Sequence, residues 1–361
     1  MINETRLLDT FLALVRIDSP SGEEAAIAQE LEARLHKLGL TVELDAMHNL
    51  VARLPGQGTP FLLAAHMDTV MPGRGIKPVV EDGVVRSDGT TILGADDKAG
   101  LSVILEVLQS LVEDQPPHPP LEVVVTVQEE RGLLGAKALD ISRLQAKMGV
   151  SLDSGGPAGA IVVSAPSADL ISAVMHGKAA HAGANPELGI NAIVAAADAI
   201  HNMRLGRLDE ETTANIGIIQ GGTARNIVPD RVTLAGEARS RQLAKLEAQT
   251  ASMVEALQAA ARQHKTTVDV EVKRSYTGYA FTEKTAIVSH LMAACRAAGV
   301  EPRLVPTGGG SDANIFNTHG LQVVNTSMGA AGEHTTEECV ALSDMATCAN
   351  IVMHCVRSLI S

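Results

Sequence analysis

A histidine and an aspartate one residue apart, His66 and Asp68 in HMDTV, directly follow the apolar run FLLAA. Comparable places hold Asp96 and Asp97, in GADDKAG ahead of a helical pattern, Glu129 and Glu130, closing LEVVVTVQEE, and Asp153, closing MGVSLD. His334 sits in GAAGEHTTEE after another apolar run. Taken singly, each has an ordinary explanation: a His-x-Asp at a strand end is common, EE reads as a solvated strand exit, and an aspartate before a helix caps its free amide hydrogens. Taken together they imply a metal centre. Several carboxylates in one crevice raise one another's pKa unless cations balance them. Imidazole and carboxylate without thiolate suit zinc first, with cobalt or manganese as alternatives. Three ligand carboxylates, Asp96, Glu130 and Asp153, set against two dications leave one positive charge, which a bound hydroxide cancels.

Such groups converge only if the strands before them lie in one open α/β sheet, where ligands bind beyond the carboxyl ends of the strands. From residue 1 to about 165 the chain alternates short apolar strands (TVEL, LVARL, FLLAAH, LEVVVTVQ, MGVSLD) with helical patterns, the mark of a doubly wound sheet. The helix DDKAGLSVILEVLQSLVEDQ stops at PPHPP, which cannot continue it. Residues 167–275 change rhythm to a β-α-β-β-α-β order: ADLISAVMHG, the helix PELGINAIVAAADAIHNM, NIGIIQ, VTLAGEAR, a long helix from QLAKLEA, then TVDVEVKRS. That order predicts an inserted ferredoxin-like α+β domain. A helix in EKTAIVSHLMAACRAAG and the strands PRLVPT and LQVVNTS then return to the first sheet. The expectation is a discontinuous catalytic domain, 1–166 and 276–361, with a lid inserted at 167–275; about two domains also suit 361 residues.

Composition removes other classes of function. A net charge of −13 without a basic block disfavours a nucleic-acid backbone or an anionic membrane. Four phenylalanines, two tyrosines and no tryptophan leave little surface for stacking on bases. No apolar stretch reaches the ~18 residues of a membrane span. The start of the chain reads as an amphipathic helix without the features of a secretory signal. Cys295, Cys339, Cys348 and Cys355 form no Cys-x-x-Cys pair and read as reduced thiols, which fits a cytoplasmic setting. TGGGSDAN lacks the lysine and Ser/Thr of a phosphate loop.

In order, HMDTV, GADDKAG, EERGLLGA, SLDSGG, HAGANPELGINAI, GGGSDANIF and HTTEE resemble the dizinc exopeptidase family that includes peptidase T, the carboxypeptidase G type enzymes and aminoacylases. Through GTTILGADDKAG and SDANIFNTHG the chain is most similar to the peptidase T group. The resemblance implies that His66, Asp96 and Asp153 hold one ion and that Asp96, Glu130 and His334 hold the other. Asp96 bridges, because the family's bridging aspartate lies two residues before a lysine, here Lys98, and the peptide after it is expected to be cis. Asp68 would orient His66, and Glu129 would act as general base. His181, in HGKAAHAG, would donate to the oxyanion of a neighbouring subunit's reaction, which implies a homodimer through the lid. Asn226, Arg239 and the wall Gly308, Gly309 and Gly310 would bind substrate, with Asp312 supporting that loop. The implied activity is hydrolysis of a terminal amide bond of a short peptide, with tripeptide aminopeptidase action foremost. A carboxypeptidase or N-acyl-amino-acid amidohydrolase is the rival, and a catalytically idle peptide-binding relative a more distant one.

Overall fold

The computed structural model describes residues 1–360. The chain divides into two units: Met1–Val163 with Phe281–Pro306 and the chain from Ser311 onward, and Ser164–Ala280 with Thr307–Gly310.

In the first unit the strand FLLAAH is buried at every position, as befits a run covered on both faces of a sheet. The sheet order is Thr41–Leu44, Leu50–Leu54, Leu121–Thr126, Phe61–His66, Met148–Ser154, Gln322–Ser327 and Ala160–Ala165, with Arg303–Pro306 also paired to the last. The four central strands, Leu121–Thr126, Phe61–His66, Met148–Ser154 and Gln322–Ser327, are mutually parallel. Their neighbours Leu50–Leu54 and Ala160–Ala165 run antiparallel to them. The mixed α/β sheet expected from the sequence is therefore present, and its parallel centre brings four carboxyl ends to one edge.

Helix Ala95–Asp114 lies across the strands Phe61–His66 and Met148–Ser154. Gly100 permits the approach, since a Cβ there would sit 2.3 Å from the Leu152 carbonyl oxygen. Helices Glu4–Val15 and Leu342–Ser358 pack against Ala95–Asp114, and Phe11, Leu14, Met345 and Val352 join one continuous apolar core with Leu63, Val123 and Val150.

The second unit is an antiparallel sheet in the order Gly206–Arg207, Thr212–Gly221, Arg231–Ser240, Ser167–His176 and Val268–Tyr276. Helices Ala192–His201 and Leu243–Gln263 bury Ala195, Ala199, Leu246 and Met253 against Ile171, Ala173 and Leu234. Apart from the short strand Gly206–Arg207, the order is β-α-β-β-α-β.

This unit starts at Ser164 rather than 167 and reaches Ala280 rather than 275. It also takes the turn Thr307–Gly310, which the sequence assigned to the catalytic domain. The reason is local: the Thr307 amide donates to the Ser164 carbonyl at 2.9 Å, and Gly310 lies against the Tyr276 ring. Within PELGINAIVAAADAIHNM the helix begins only at Ala192, because Asn191 caps it by accepting from the amides of Ile193 and Val194. Among the described residues, no helix is long and apolar enough to cross a membrane.

Candidate metal centre

Each strand end delivers its polar group by a specific backbone device. His66 ends the strand Phe61–His66, and its Nδ1–H donates to the carbonyl of Asp68 at 3.0 Å. A carbonyl can only accept, so Nδ1 carries the proton and Nε2 is the atom presented to the site. The Asp68 carboxylate lies farther from the ring, 3.4 Å from Nδ1. The Asp68 backbone thus holds the His66 ring more closely than does its carboxylate, the group the sequence pointed to.

The Asp68 carboxylate is occupied elsewhere. Its Oδ1 accepts from the Glu129 amide at 2.9 Å, and its Oδ2 accepts from the Glu130 amide at 3.2 Å and the Ser21 hydroxyl at 2.6 Å. One buried aspartate therefore fixes the backbone of the general-base candidate Glu129 and of the ligand candidate Glu130 on the next strand's exit. Asn325 does the same for Asp153: its Oδ1 accepts from the Asp153 amide at 2.9 Å, and its Nδ2 donates to the Asp153 carbonyl at 2.7 Å.

Of the two adjacent aspartates, Asp96 faces the site. Its Oδ1 is 2.9 Å from His66 Nε2 and its Oδ2 is 3.1 Å from His334 Nε2. Asp97 turns back to the main chain, accepting from the amides of His66 and Gly100, each at 3.1 Å. The Asp96–Asp97 peptide is cis. Glu130 Oε1 lies 2.9 Å from His334 Nε2, and Asp153 Oδ1 lies 3.6 Å from His66 Nε2. The candidate ligand atoms of His66, Asp96 and Asp153 are within 4.8 Å of one another, as are those of Asp96, Glu130 and His334, and those of His66, Glu129 and Glu130.

The electrostatics test whether this donor set suits cations. Burial pushes the Asp153 carboxyl up to about 7, with His66 opposing it. Burial also holds Glu129 well above the carboxylate range, helped by Asp153 and Asp312. Asp312 itself is pushed up to about 6, chiefly by burial, with Thr126 donating to one of its oxygens while the other, Oδ1, is buried without a partner. In the opposite sense, burial of His66 is outweighed by Asp153, Asp68 and Asp96, which hold its imidazole protonated, and Asp96 and Glu130 raise His334 to about 10. Asp153, Glu129 and Asp312 are pushed towards their neutral form and the two histidines towards their charged form, while against its burial Asp96 is held ionised by His334 and His66. That is the response of a carboxylate-rich pocket seeking positive charge, and two divalent ions would satisfy it; the residues fit such a pair.

His181, Asn226, Arg239 and the glycines Gly308, Gly309 and Gly310 all belong to the second unit. His181 Nδ1 accepts from the amides of Gly183 and Ala184 at 3.1 and 3.0 Å, so its Nε2 carries the proton. The Asn226 carbonyl accepts from the Ala182 amide at 2.9 Å, which keeps the two residues in one loop cluster. Arg239 is engaged by its own strand neighbour Glu237, at 2.9 and 3.0 Å. A Cβ on Gly308 would meet nothing within 4 Å, whereas one on Gly310 would strike the Tyr276 ring at 2.3 Å. Packing against Tyr276 is thus by itself enough to require glycine at 310. The sequence reading did not single out Ser21, Asn325 or Glu338; the last stands in HTTEE, but nothing in its spacing marks it.

Residues 62–358 match the model of the peptidase family M20/M25/M40. The crystal structure of an aminopeptidase PepT from Bacillus cereus is 44% identical and superposes with a TM-score of 0.89 over 100% of both chains. That of a tripeptidase from Staphylococcus aureus is 41% identical, with a TM-score of 0.94 over 99% of both. Carboxypeptidase G2 of a Pseudomonas strain is 31% identical over 90% of this chain and 82% of its own length.

Proposed function

Because the chain belongs to the peptidase family M20/M25/M40, we propose that it is a metal-dependent exopeptidase cleaving a terminal amide bond of short peptides, acting as a tripeptide aminopeptidase. The observation that carries this reading is the Asp96 carboxylate standing between two histidines, 2.9 Å from one and 3.1 Å from the other. His66, Asp96 and Asp153 would hold one divalent ion and Asp96, Glu130 and His334 the second, with zinc the leading choice and cobalt or manganese alternatives. When bound, such ions supply Lewis acidity to the scissile carbonyl and lower the pKa of the attacking water. Glu129, buried and held by Asp68 through its amide, takes the proton from that water and passes it to the leaving amine.

His181 offers an Nε2–H that its backbone partners cannot use, which suits a donor to a developing oxyanion. We place that donor in a second copy's active site, within a homodimer formed through the lid. Gly308 and Gly309 leave room for a peptide main chain, because neither packing nor a positive φ demands glycine there. The substrate is a short peptide, and the reduced, buried thiols Cys295, Cys348 and Cys355 suit the cytoplasm.

The names of the two solved relatives support the aminopeptidase choice; the 31% identity to carboxypeptidase G2 keeps carboxypeptidase or acyl-amino-acid amidohydrolase action as the second reading. Three tripeptides separate them: free, N-acetylated and C-amidated. An aminopeptidase cleaves the free and amidated forms and spares the acetylated one. Equal rates on free and acetylated peptide overturn the first reading, and a loss confined to the amidated form establishes the second.

A further inference from the structure

The loop that carries His334 makes a second, separate connection to the centre. Four residues beyond the histidine, Glu338 turns inward and is 1% exposed. Its Oε2 accepts from the amides of Leu93 at 2.8 Å and Gly94 at 2.7 Å, and its Oε1 accepts from the amide of Asp96 at 2.9 Å. The first amides of a helix have no partners inside it. Such amides are ordinarily satisfied by water or by a nearby serine or aspartate; here a carboxylate 242 residues further along the chain takes the one at Asp96 and two that precede it.

The segment it grips has a demanding geometry. Gly94 is left-handed, and Asp96 and Asp97 depart from helical φ/ψ although they lie within the helix bounds. From that backbone, Asp96 must project its two oxygens towards two different histidines. Both contacts therefore depend on the Asp96 backbone staying where it is. Burying an ionised carboxylate is costly, and burial pushes the Glu338 carboxyl up to about 7 although three amide donors on one short segment favour its ionised form.

We infer that Glu338 is a positioning residue for the metal pair: it ties the Gly94–Asp96 backbone to the loop bearing His334, and so sets the distance between the bridging carboxylate and the second ion's histidine. The inference rests on the two-ion reading above. It assigns the residue a task that reaches the metals through Asp96, without contact with substrate.

The test uses the full-length chain loaded with zinc or cobalt, as wild type, Glu338→Gln and Glu338→Asp. Gln keeps the size but loses the charge; Asp keeps the charge but is one methylene short. Zinc affinities come from chelator competition, site geometry from the visible absorption of the cobalt form, and fold integrity from metal-free thermal melts. Partners that orient ligands are typically worth 10–100-fold in metal affinity, and a loss in that range is expected for both variants, together with an altered cobalt spectrum. Wild-type affinities and spectrum in both variants, with only the melting temperature lowered, overturn the inference and leave Glu338 a structural cap. Wild-type protein binding fewer than two ions per chain overturns the two-ion reading, and this inference with it.

Discussion

Single side chains divide the labour at the strand ends. Burial holds the Glu129 carboxyl well above the carboxylate range, in keeping with the proton-carrier role proposed for it, whereas its neighbour Glu130 points to His334. Replacing Glu129 with Gln should leave both ions in place and lower kcat by about 10²–10⁴-fold; elemental analysis with steady-state kinetics checks both halves, and a full rate removes the proton-transfer role. The groups facing the site were legible in the sequence because their chemical types recur at the ends of apolar runs. Their supports were not. Ser21, Asn325 and Glu338 act through hydroxyl or backbone-directed hydrogen bonds to residues far along the chain, and such bonds leave no periodicity or spacing to read. Asp68 shows the limit from the other side: it was found, but its carboxylate holds Glu129 and Glu130 more closely than it holds His66.

Whole strands and helices were the most readable level, since the runs that become parallel strands are continuously apolar and the helices keep their period. The strands TVEL, LVARL and FLLAAH coincide with Thr41–Leu44, Leu50–Leu54 and Phe61–His66. Capping set what was misjudged: Asn191 delays a helix that composition alone would start earlier. Helices Ala25–Lys37 and Leu342–Ser358 and the strand Ala160–Ala165 escaped the sequence reading. One strand carries the dimer proposal. Thr212–Gly221 pairs along its length with Arg231–Ser240, but on its other side, among the described residues, only Thr213 and Ala214 are paired, with Arg207 and Gly206. An edge of that kind, with Ile218 and Ile219 about half exposed at 53% and 50%, is a template for another strand. Sedimentation equilibrium should return twice the 37.7 kDa chain mass, and Ile218→Lys should shift the population towards monomer; a wild-type monomer at assay concentration removes the dimer.

For the molecule as a whole, the buried charges make stability depend on metal and pH together. Asp153 is raised from 3.8 to about 7 by burial, so the folded chain binds more protons than the unfolded one between those values. Stability from this group is full below 3.8 and is lost as pH rises towards 7. His334, raised from 6.5 to about 10 by Asp96 and Glu130, acts in the same direction over its own window, its contribution complete below 6.5 and lost as pH climbs to 10. The metal-free protein should therefore show a urea midpoint that declines steadily from pH 5 to 8. The zinc-loaded protein should be more stable and far less sensitive over that range, because ions replace the protons. A metal-free midpoint that rises across this interval contradicts the assignment.

The discontinuous arrangement of the first unit has a consequence for how this enzyme comes into being. His66, Asp96, Glu130 and Asp153 are made before the inserted unit, but the central strand Gln322–Ser327 and His334 come only after the whole of it. A nascent chain can gather most of its ligands and still lack the last one. On the proposed ligand set, the metal pair is therefore completed only after the inserted unit has been made.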